Sequence, residues 1–337
     1  MSKSVLEQLR AMTVIVSDSG EIEEIEKVKP QDSTTNPSLI TSAVQMPQYQ
    51  PIMDQVLLAA KKKLGNAASD KDVANLAFKG LAVEFGKRIL KIIPGRVSTE
   101  VDARLSYDLQ GSVKMAREII QEYEAGGVSR ERVLIKLAST WEGIRAAEIL
   151  EKEGIHCNMT LLFGLHQAIA SADAKATLIS PFVGRILDWY KKDTGKDYQG
   201  ADDPGVQSVT TIYNYFKKFG YKTVVMGASF RNLGEIEELA GCDLLTIAPK
   251  LLEELDQKFE DLPRKLDPEK AKSMQIERLN IDKQTFDKMH AENRMAHDKL
   301  KEGIEGFSKA LKNLEQLLAK RLAELGANQQ QTVGAAG

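Results

Sequence analysis

The chain has 337 residues, with 46 lysines and arginines against 48 aspartates and glutamates and a hydrophobic content of 42%. This length fits one large domain or two average ones, and the composition is typical of a compact soluble protein. A formal net charge of −2 provides neither the basic field of a nucleic-acid-binding protein nor the charge excess of a disordered chain. We therefore expect no nucleic-acid partner, although small anions could bind at local basic sites.

The N-terminal sequence and the cysteine content indicate a cytoplasmic protein. The first residues, MSKSVLEQLRAM, contain no apolar segment of a signal peptide, and no stretch approaches the roughly 18 apolar residues of a membrane span. Cys157 and Cys242 are the only cysteines, too few for a disulfide framework or a thiolate metal cage. We expect both to be reduced core residues, and we expect no membrane partner.

Short β-branched runs alternate along the chain with segments of helical period. The predicted strands are 13–16, 32–35, 96–101, 133–137, 157–162, 178–181, 223–226 and 244–247. The predicted helices between them end at glycines, as the apolar face around Ile119 and Ile120 does at Gly126. Eight strands with short helical connections favour a closed (β/α)8 TIM barrel, with an open doubly wound sheet as the alternative.

Two segments exceed a plain barrel. Residues 45–89 contain two helical patterns, around 53–64 and 72–89, and apolar residues three and four apart from Leu300 to Leu325 predict a long C-terminal amphipathic helix. We expect this helix to lie across the barrel because Gly303 and Gly306 interrupt it; pairing with another chain is the alternative. The predicted organisation is one domain over 1–326 and a disordered tail over 327–337.

The sequence contains none of the common dinucleotide, P-loop, nucleophile-elbow or zinc-peptidase motifs. His290 and His297 are seven residues apart on one predicted helix face, without cysteine or carboxylate ligands at metal spacing. We interpret them as capping or solvent-facing histidines and predict no metal site.

In a (β/α)8 barrel the active site is built at the carboxyl ends of the strands. Polar residues occupy nearly all of these positions in the sequence: Asp18, Asn36, Glu100, Lys136, Asn158, Thr160, Ser180, Arg185, Ser229 and Arg231. Arg185 and Arg231 follow the sixth and seventh strands, and guanidinium groups bind phosphate with two parallel hydrogen bonds. The pattern makes an anionic sugar substrate plausible.

Lys136 is the most informative of these residues because it lies in the apolar run VLIKLA, where a lysine is costly to bury unless paired. The side chain could face outward between helices. Inside the barrel, a desolvated amine could attack a carbonyl and form a Schiff base. Asp18 and Glu100 are the candidates for proton transfer. Each has a structural alternative: Asp18 could belong to a simple turn with Ser19 and Gly20, and Glu100 could form a polar ladder with Asp102 and Arg104.

Longer segments carry a family resemblance: TVIVSDSG, KPQDSTTNPSLI, IPGRVSTEVDARLS, LIKLASTWEGIRAA, IHCNMTLLF, LISPFVGRILDW and VVMGASFRN. In this order they resemble the transaldolases of the pentose phosphate pathway, class I Schiff-base aldolases on a (β/α)8 barrel. The resemblance implies that Lys136 forms an imine with a ketose phosphate, that Glu100 and Thr160 assist loss of water through a held water molecule, and that Asp18 removes the proton of the C4 hydroxyl.

The same resemblance implies the remaining site. The hydroxyls of a covalently held dihydroxyacetone unit would be bound by Asn36, Asn158 and Ser180, and the phosphate by Arg185, Ser229 and Arg231. The donors would be fructose 6-phosphate or sedoheptulose 7-phosphate, and the acceptors erythrose 4-phosphate or glyceraldehyde 3-phosphate. No cofactor is implied, the C-terminal helix would limit solvent access at the barrel mouth, and a homodimer is compatible with the resemblance.

Two alternatives remain open. The first is a simple class I aldolase that cleaves fructose 6-phosphate; the smaller enzymes of that kind carry tyrosine where this chain has Phe182, and a phenol could help water release the three-carbon unit. The second is a non-catalytic barrel that only binds sugar phosphates, because a fold does not determine a function.

Overall fold

A computed structural model describes residues 3–65 and 67–334, with side chains as far as 327. Eight parallel strands form a barrel in chain order, and it is closed because the first strand pairs with the eighth. This confirms the predicted (β/α)8 architecture and excludes the open sheet. The strands are β1 (Val14–Asp18), β2 (Asp32–Thr34), β3 (Val97–Glu100), β4 (Val133–Ala138), β5 (Cys157–Leu162), β6 (Leu178–Pro181), β7 (Val224–Gly227) and β8 (Leu244–Ile247).

Helices follow every strand, and the two helical patterns predicted between residues 45 and 89 are confirmed as the fourth and fifth helices. The first nine are α1 (Val5–Arg10), α2 (Ile22–Val28), α3 (Pro37–Ala43), α4 (Gln50–Leu64), α5 (Asp70–Ile89), α6 (Leu109–Ala125), α7 (Trp141–Lys152), α8 (Leu165–Asp173) and α9 (Gly184–Thr194). The other six are α10 (Pro204–Phe219), α11 (Leu233–Glu238), α12 (Pro249–Asp256), α13 (Pro268–Ser273), α14 (Lys283–Glu292) and α15 (Arg294–Gly334). Among the described residues, no helix is both long and apolar enough to cross a membrane.

The alternation of side chains along β4 decides which way Lys136 points. Ile135 and Leu137 belong to the large apolar layer between the strands and the surrounding helices. Leu134 packs inside the barrel with Val16 and other residues of a small cluster that fills its interior. Because successive side chains of a strand face opposite sides, Lys136 shares the inward face with Leu134. The outward-facing alternative for Lys136 is therefore wrong.

Helix α15 lies across the barrel, as expected from its glycines. Its apolar face is buried against α3, α4, α5, α9 and β5. A Cβ atom at Gly303 would come within 2.6 Å of Leu161 Cδ2 in β5, so a larger residue at this position would require the buried Leu161 side chain to move. Two ion pairs link the helix to the barrel, Arg104–Glu315 and Arg321–Asp54.

The backbone of α15 continues past the predicted boundary at residue 326 to Gly334. The segment from 327 to 334, which the sequence predicted as part of a disordered tail, is thus helical in the structure. Residues 335–337 lie outside the described residues, and disorder of the tail in solution stays a prediction.

Both cysteines are buried free thiols, as predicted. Of the two C-terminal histidines, His297 is exposed, but His290 is not a solvent-facing residue. Its Nδ1 lies 3.0 Å from Nε2 of the buried His166. No cluster of three potential metal-ligating side chains occurs in the described part of the chain.

Candidate active site

The centre of the site is the amine of Lys136, which is only 6% exposed. Its Nζ donates a hydrogen bond to the carbonyl oxygen of Thr35 (3.1 Å) and lies 3.6 Å from Glu100 Oε2. The parallel register pairs Lys136 with Glu100 on β3 and with Asn158 on β5. Three neighbouring strands therefore present these side chains at one level of the barrel interior.

Asp18 ends β1 and lies at the edge of the same cavity. Its Oδ1 accepts a hydrogen bond from the Thr34 hydroxyl (3.1 Å), and that hydroxyl shares a second bond of 2.7 Å with the Thr246 hydroxyl. The following turn is held by Ser19 Oγ, which accepts from the Glu21 amide. Desolvation raises the pKa of Asp18, and the positive charge of Lys136 offsets only part of this increase. The carboxyl group is thus in the cavity, as the proton-transfer hypothesis requires.

Glu100 is buried beside Lys136, and its environment suits proton exchange near neutrality. Desolvation raises the pKa of its carboxyl group to about 7, although the neighbouring Lys136 lowers it. Its Oε2 accepts no hydrogen bond from the described residues. The alternative polar ladder is wrong, because Asp102 bonds to Arg104, and Arg104 bonds in turn to Glu315 of α15.

Strands β5 and β6 contribute a short chain of polar side chains. The Asn158 amide donates to Ser98 Oγ (3.0 Å), and the Ser180 hydroxyl donates to Asn158 Oδ1 (2.5 Å). The Thr160 hydroxyl is buried and has no hydrogen-bond partner among the described residues. An unpaired buried hydroxyl is costly unless a ligand or water bonds to it. The Thr160 hydroxyl is therefore available for a hydrogen bond to a molecule bound in the cavity.

Local backbone geometry sets the position of Thr160. The next residue, Leu161, has a φ of 50°, which is rare for a leucine because its Cβ crowds the backbone. The pairing of β5 with β6 shifts register between Met159 and Leu162. This bulge turns Leu161 toward Gly303 of α15, so the strand that carries Thr160 is in direct contact with the covering helix.

Asn36 borders the cavity and also forms a hydrogen bond that stabilises the start of a helix. Its Oδ1 accepts from the Leu39 amide (3.0 Å) and caps the N-terminus of α3. The side chain is half-buried and borders the same cavity as Lys136.

Two arginines lie at the outer end of the cavity, in different environments. The Arg185 guanidinium is held between the rings of Phe182 and Phe307, at 4.9 and 5.5 Å from their centroids. Burial lowers the pKa of Arg185, and the nearby charge of Arg231 adds to this effect. Arg231 is exposed at the rim, where its Nη2 lies 2.8 Å from Asp188 Oδ2.

Ser229 lies beside Arg231, with its Oγ 3.3 Å from the Arg231 Nη1. Its φ of 62° is in the left-handed region, and its carbonyl oxygen accepts from the Gly184 amide (2.7 Å). This bond ties the loop after β7 to the first turn of α9, which carries Arg185. Two cations and a hydroxyl at one rim form an arrangement suited to a phosphate group.

The cavity has a volume of about 50 Å³. It is lined by most of the predicted site residues and by others that the sequence did not single out: Asp18, Thr34, Asn36, Lys136, Thr160, Ser180, Phe182, Arg185, Met226, Ala228, Ser229, Thr246 and Phe307. Glu100 and Asn158 contact this lining through Lys136 and Ser180, while Arg231 is at the rim. The structure thus brings all eleven predicted residues to one end of the barrel.

Thr34, Thr246 and Phe307 are the lining residues with the clearest contacts that sequence reasoning missed. Thr34 lies two residues before Asn36 in the run DSTTN, and Thr246 interrupts the apolar run of β8. These positions carried a signal, a polar side chain at a strand end. Phe307 carried none, because it lies in the apolar stripe of α15 like any core residue.

The fold and this cavity define a (β/α)8-barrel protein with a lysine-centred site at the carboxyl ends of its strands. The sequence profile of the Transaldolase/Fructose-6-phosphate aldolase family matches residues 15–318, and the chain belongs to this family. It is similar to three bacterial proteins named Transaldolase. The relative from Acidobacterium capsulatum is 75% identical over 97% of this chain and 98% of its own length. Those from Methylococcus capsulatus and a Nostoc species are 70% and 69% identical, over 97% and 96% of this chain and 100% and 98% of their own lengths.

Proposed function

We propose that the chain is a transaldolase that transfers a dihydroxyacetone unit from a ketose phosphate to an aldose phosphate through a Schiff base on Lys136. The donors are sedoheptulose 7-phosphate or fructose 6-phosphate, and the acceptors are glyceraldehyde 3-phosphate or erythrose 4-phosphate. The observation that carries the proposal is the buried Lys136 amine, 3.6 Å from a carboxylate oxygen of Glu100 inside the barrel. The name shared by relatives 64–75% identical supports the reaction type.

Imine formation uses the groups closest to Lys136. Its neutral amine attacks the C2 carbonyl of the donor and gives a carbinolamine, which expels its hydroxyl as water. This expulsion needs a proton, and Glu100, whose pKa is raised to about 7, can supply and recover one near neutral pH. The Thr160 hydroxyl, which is buried without a partner, is available to hold the water that carries the proton.

Carbon–carbon cleavage is the task of Asp18. Its carboxylate removes the proton of the C4 hydroxyl, the C3–C4 bond breaks, and the electron pair moves to the protonated imine to give an enamine. The first aldose phosphate leaves, and the enamine carbon then attacks the aldehyde of the acceptor. Asp18 returns its proton to the new alkoxide, and water hydrolyses the imine to release the product ketose phosphate and the amine of Lys136. The imine nitrogen is the electron sink in this scheme, which therefore uses no metal or cofactor.

Substrate binding divides between the interior and the rim. Asn36, Asn158 and Ser180 bind the hydroxyls of the three-carbon unit that stays attached to Lys136. Arg185, Ser229 and Arg231 bind the phosphate at the outer end, where charge-assisted hydrogen bonds are strongest in a partly desolvated site. Phe307 of α15 covers Arg185 and limits the access of water.

Trapping with borohydride tests the Schiff base directly. Incubation with fructose 6-phosphate and borohydride is expected to add one reduced three-carbon unit to Lys136, identified by peptide mass. Lys136→Met should give no adduct. Lys299→Met is the matched control, because Lys299 is also buried but pairs with Glu302 (2.9 Å) on α15, and it should be labelled like the wild type. Folded wild-type protein without any adduct would support the non-catalytic barrel instead.

A second assay separates transfer from simple aldol cleavage. Phe182 has no hydroxyl to direct water at the enamine, and it packs edge-on against Phe163 with centroids 5.2 Å apart. We expect little free dihydroxyacetone from fructose 6-phosphate without acceptor and rapid turnover once erythrose 4-phosphate or glyceraldehyde 3-phosphate is present. Release at a comparable rate without acceptor would make the protein an aldolase.

A further inference from the structure

A pair of buried acids, Asp203 and Glu235, lies behind the loop that carries Arg231. Each residue is 1% exposed. Asp203 is the residue immediately before α10, Glu235 is in the first turn of α11, and these two helices pack against each other. The two carboxyl groups are close enough for each to shift the pKa of the other. Two carboxylates cannot bond to each other without a proton between them, because an ionised carboxylate is only an acceptor.

The hydrogen bonds of the pair lead to the start of α10 and to the rim. Asp203 Oδ1 accepts from the amides of Gly205 (2.7 Å) and Val206 (3.3 Å) and caps α10. Glu235 Oε2 accepts from the backbone amide of Arg231 (2.6 Å). Its other oxygen, Oε1, is buried and receives no hydrogen bond from a donor group among the described residues. A proton on this acid pair accounts for an oxygen that would otherwise be a costly orphan.

We propose that Asp203 and Glu235 share one proton, and that this shared proton positions the loop of Ser229 and Arg231 for binding the substrate phosphate. The inference rests on the phosphate site of the proposed function and adds two positioning residues to it. Neither acid touches the substrate; Glu235 acts through the backbone of Arg231, and Asp203 acts through Glu235.

The packing around α10 extends the effect to Arg185. A Cβ atom at Gly205 would lie 2.2 Å from the Val183 carbonyl oxygen, so the start of α10 is pressed against the loop after β6. In that loop the Val183 amide donates to the Ala228 carbonyl (2.8 Å). The two phosphate-binding loops and the start of α10 are therefore one packed unit, and the acid pair joins two of its parts.

The charges around the pair favour loss of the proton near neutrality. Desolvation and the nearby charge of Asp203 together raise the pKa of Glu235 to about 7, although the backbone amides of Arg231 and Asn232 lower it. Desolvation also raises the pKa of Asp203, although the amides of Gly205 and Val206 and the charge of Lys191 on α9 lower it. The other nearby charges are paired elsewhere: Arg231 with Asp188, Glu237 with Lys258, and Glu238 with Lys265. As the pH rises through 7 the shared proton is lost, and two adjacent buried anions then repel each other.

Sulfate is a suitable probe for the test because it mimics phosphate and keeps its charge over the whole pH range. Its Kd is measured by calorimetry between pH 6 and 8.5 for the wild type and three variants. In Glu235→Gln a permanent N–H replaces the shared proton, and Asp203→Asn does the same from the other side. Glu238→Gln removes an acid of the same helix outside the pair and is the matched control.

For the wild type and Glu238→Gln, the Kd for sulfate is expected to rise by as much as about thirtyfold over this range, if only the protonated pair binds well. In Glu235→Gln and Asp203→Asn the Kd should change less than about threefold. A parallel series of KM values should rise for fructose 6-phosphate but not for unphosphorylated fructose.

A wild-type Kd that stays constant, or an equal rise in Glu235→Gln and the wild type, overturns the proposal. The wild-type curve alone can overturn it even if both variants of the pair fail to fold. Sulfate binding needs no turnover, so an inactive protein with the expected pH dependence would overturn the transferase function and leave the role of the pair intact.

Discussion

Glu100 and Lys136 are register partners on β3 and β4, and their charged groups meet in the barrel interior with Nζ 3.6 Å from Oε2. The parallel pairing fixes the backbones of both residues, so the contact does not depend on a flexible loop. An amine and a carboxyl group enclosed together can exchange a proton without solvent.

The first prediction concerns the pH dependence of imine formation. Glu100 has a pKa of about 7, so the acid that supplies the proton for loss of water is present below pH 7 and disappears above it. At saturating donor, where phosphate affinity does not affect the rate, borohydride-trapped imine formation should therefore have a limb that falls above pH 7. In Glu100→Gln the rate should drop by about 10²–10⁴-fold, and this limb should vanish. An unchanged falling limb in the variant would assign it to another group.

The second prediction separates cleavage from imine formation. Asp18→Asn keeps the size and the bond to Thr34 but removes the base for the C4 hydroxyl, which should reduce transfer by about 10²–10⁴-fold. Imine formation at Lys136 should persist. Borohydride should then trap the intact six-carbon ketose in place of the three-carbon unit, as seen by peptide mass. Turnover within a few-fold of wild type would reduce Asp18 to a turn residue.

The third prediction concerns the phosphate. Arg231→Ala should weaken the binding of phosphorylated donors by about ten- to a hundredfold, because a charge-assisted hydrogen bond contributes roughly 1.5–3 kcal/mol to the binding free energy. Unphosphorylated dihydroxyacetone donors should be affected far less. Arg117→Ala is the control, since Arg117 pairs with Glu153 on the outer helices and should behave as wild type. An equal loss for both donor types would indicate that Arg231 is structural.

The fourth prediction concerns the fate of the three-carbon intermediate. Phe182→Tyr would add a hydroxyl at a ring that already lines the cavity with Lys136. We expect more release of dihydroxyacetone from fructose 6-phosphate without acceptor, measured in a coupled assay. Phe182→Leu, which adds no hydroxyl, should not increase release. If both variants released it equally, looser packing rather than the phenol would be the cause.

The fifth prediction compares two glycines of α15. At Gly306 an added methyl group meets open space, so Gly306→Ala should stabilise the protein by up to about 1 kcal/mol through helix propensity. At Gly303 it would meet Leu161, and overpacking should cost about 1–3 kcal/mol. Urea unfolding measures both. Equal effects of the two substitutions would show that α15 and β5 are not tightly packed at Gly303.

The direction of Lys136 illustrates what the sequence could not decide. A barrel strand is buried on both faces, so its apolar run does not distinguish the interior from the helix-facing side. The eight strands were predictable because short β-branched runs recur between helical periods. The inward face of β4 became clear only from the packing of Leu134 and Ile135.

Contacts between segments that are far apart in the chain could not be predicted from the sequence either. Phe307 has the same character as the other apolar residues of α15, and only the path of that helix over the barrel places it on Arg185. Neither Asp203 nor Glu235 lies in a motif that the sequence analysis could single out; Asp203 caps α10, and Glu235 accepts from the Arg231 amide. Their proximity depends on the packing of α10 and α11, which no local pattern encodes.

The hydrogen bond between Thr34 and Thr246 has a consequence for the order of folding. It joins residues 212 positions apart where the last strand closes on the first, and it supports the carboxylate of Asp18. Contacts of such long sequence separation form late, because the entropy of a large loop must be lost first. We therefore expect a refolding chain to gain helices and neighbouring strand pairs before this cavity forms, and the proposed transferase activity to return later than secondary structure.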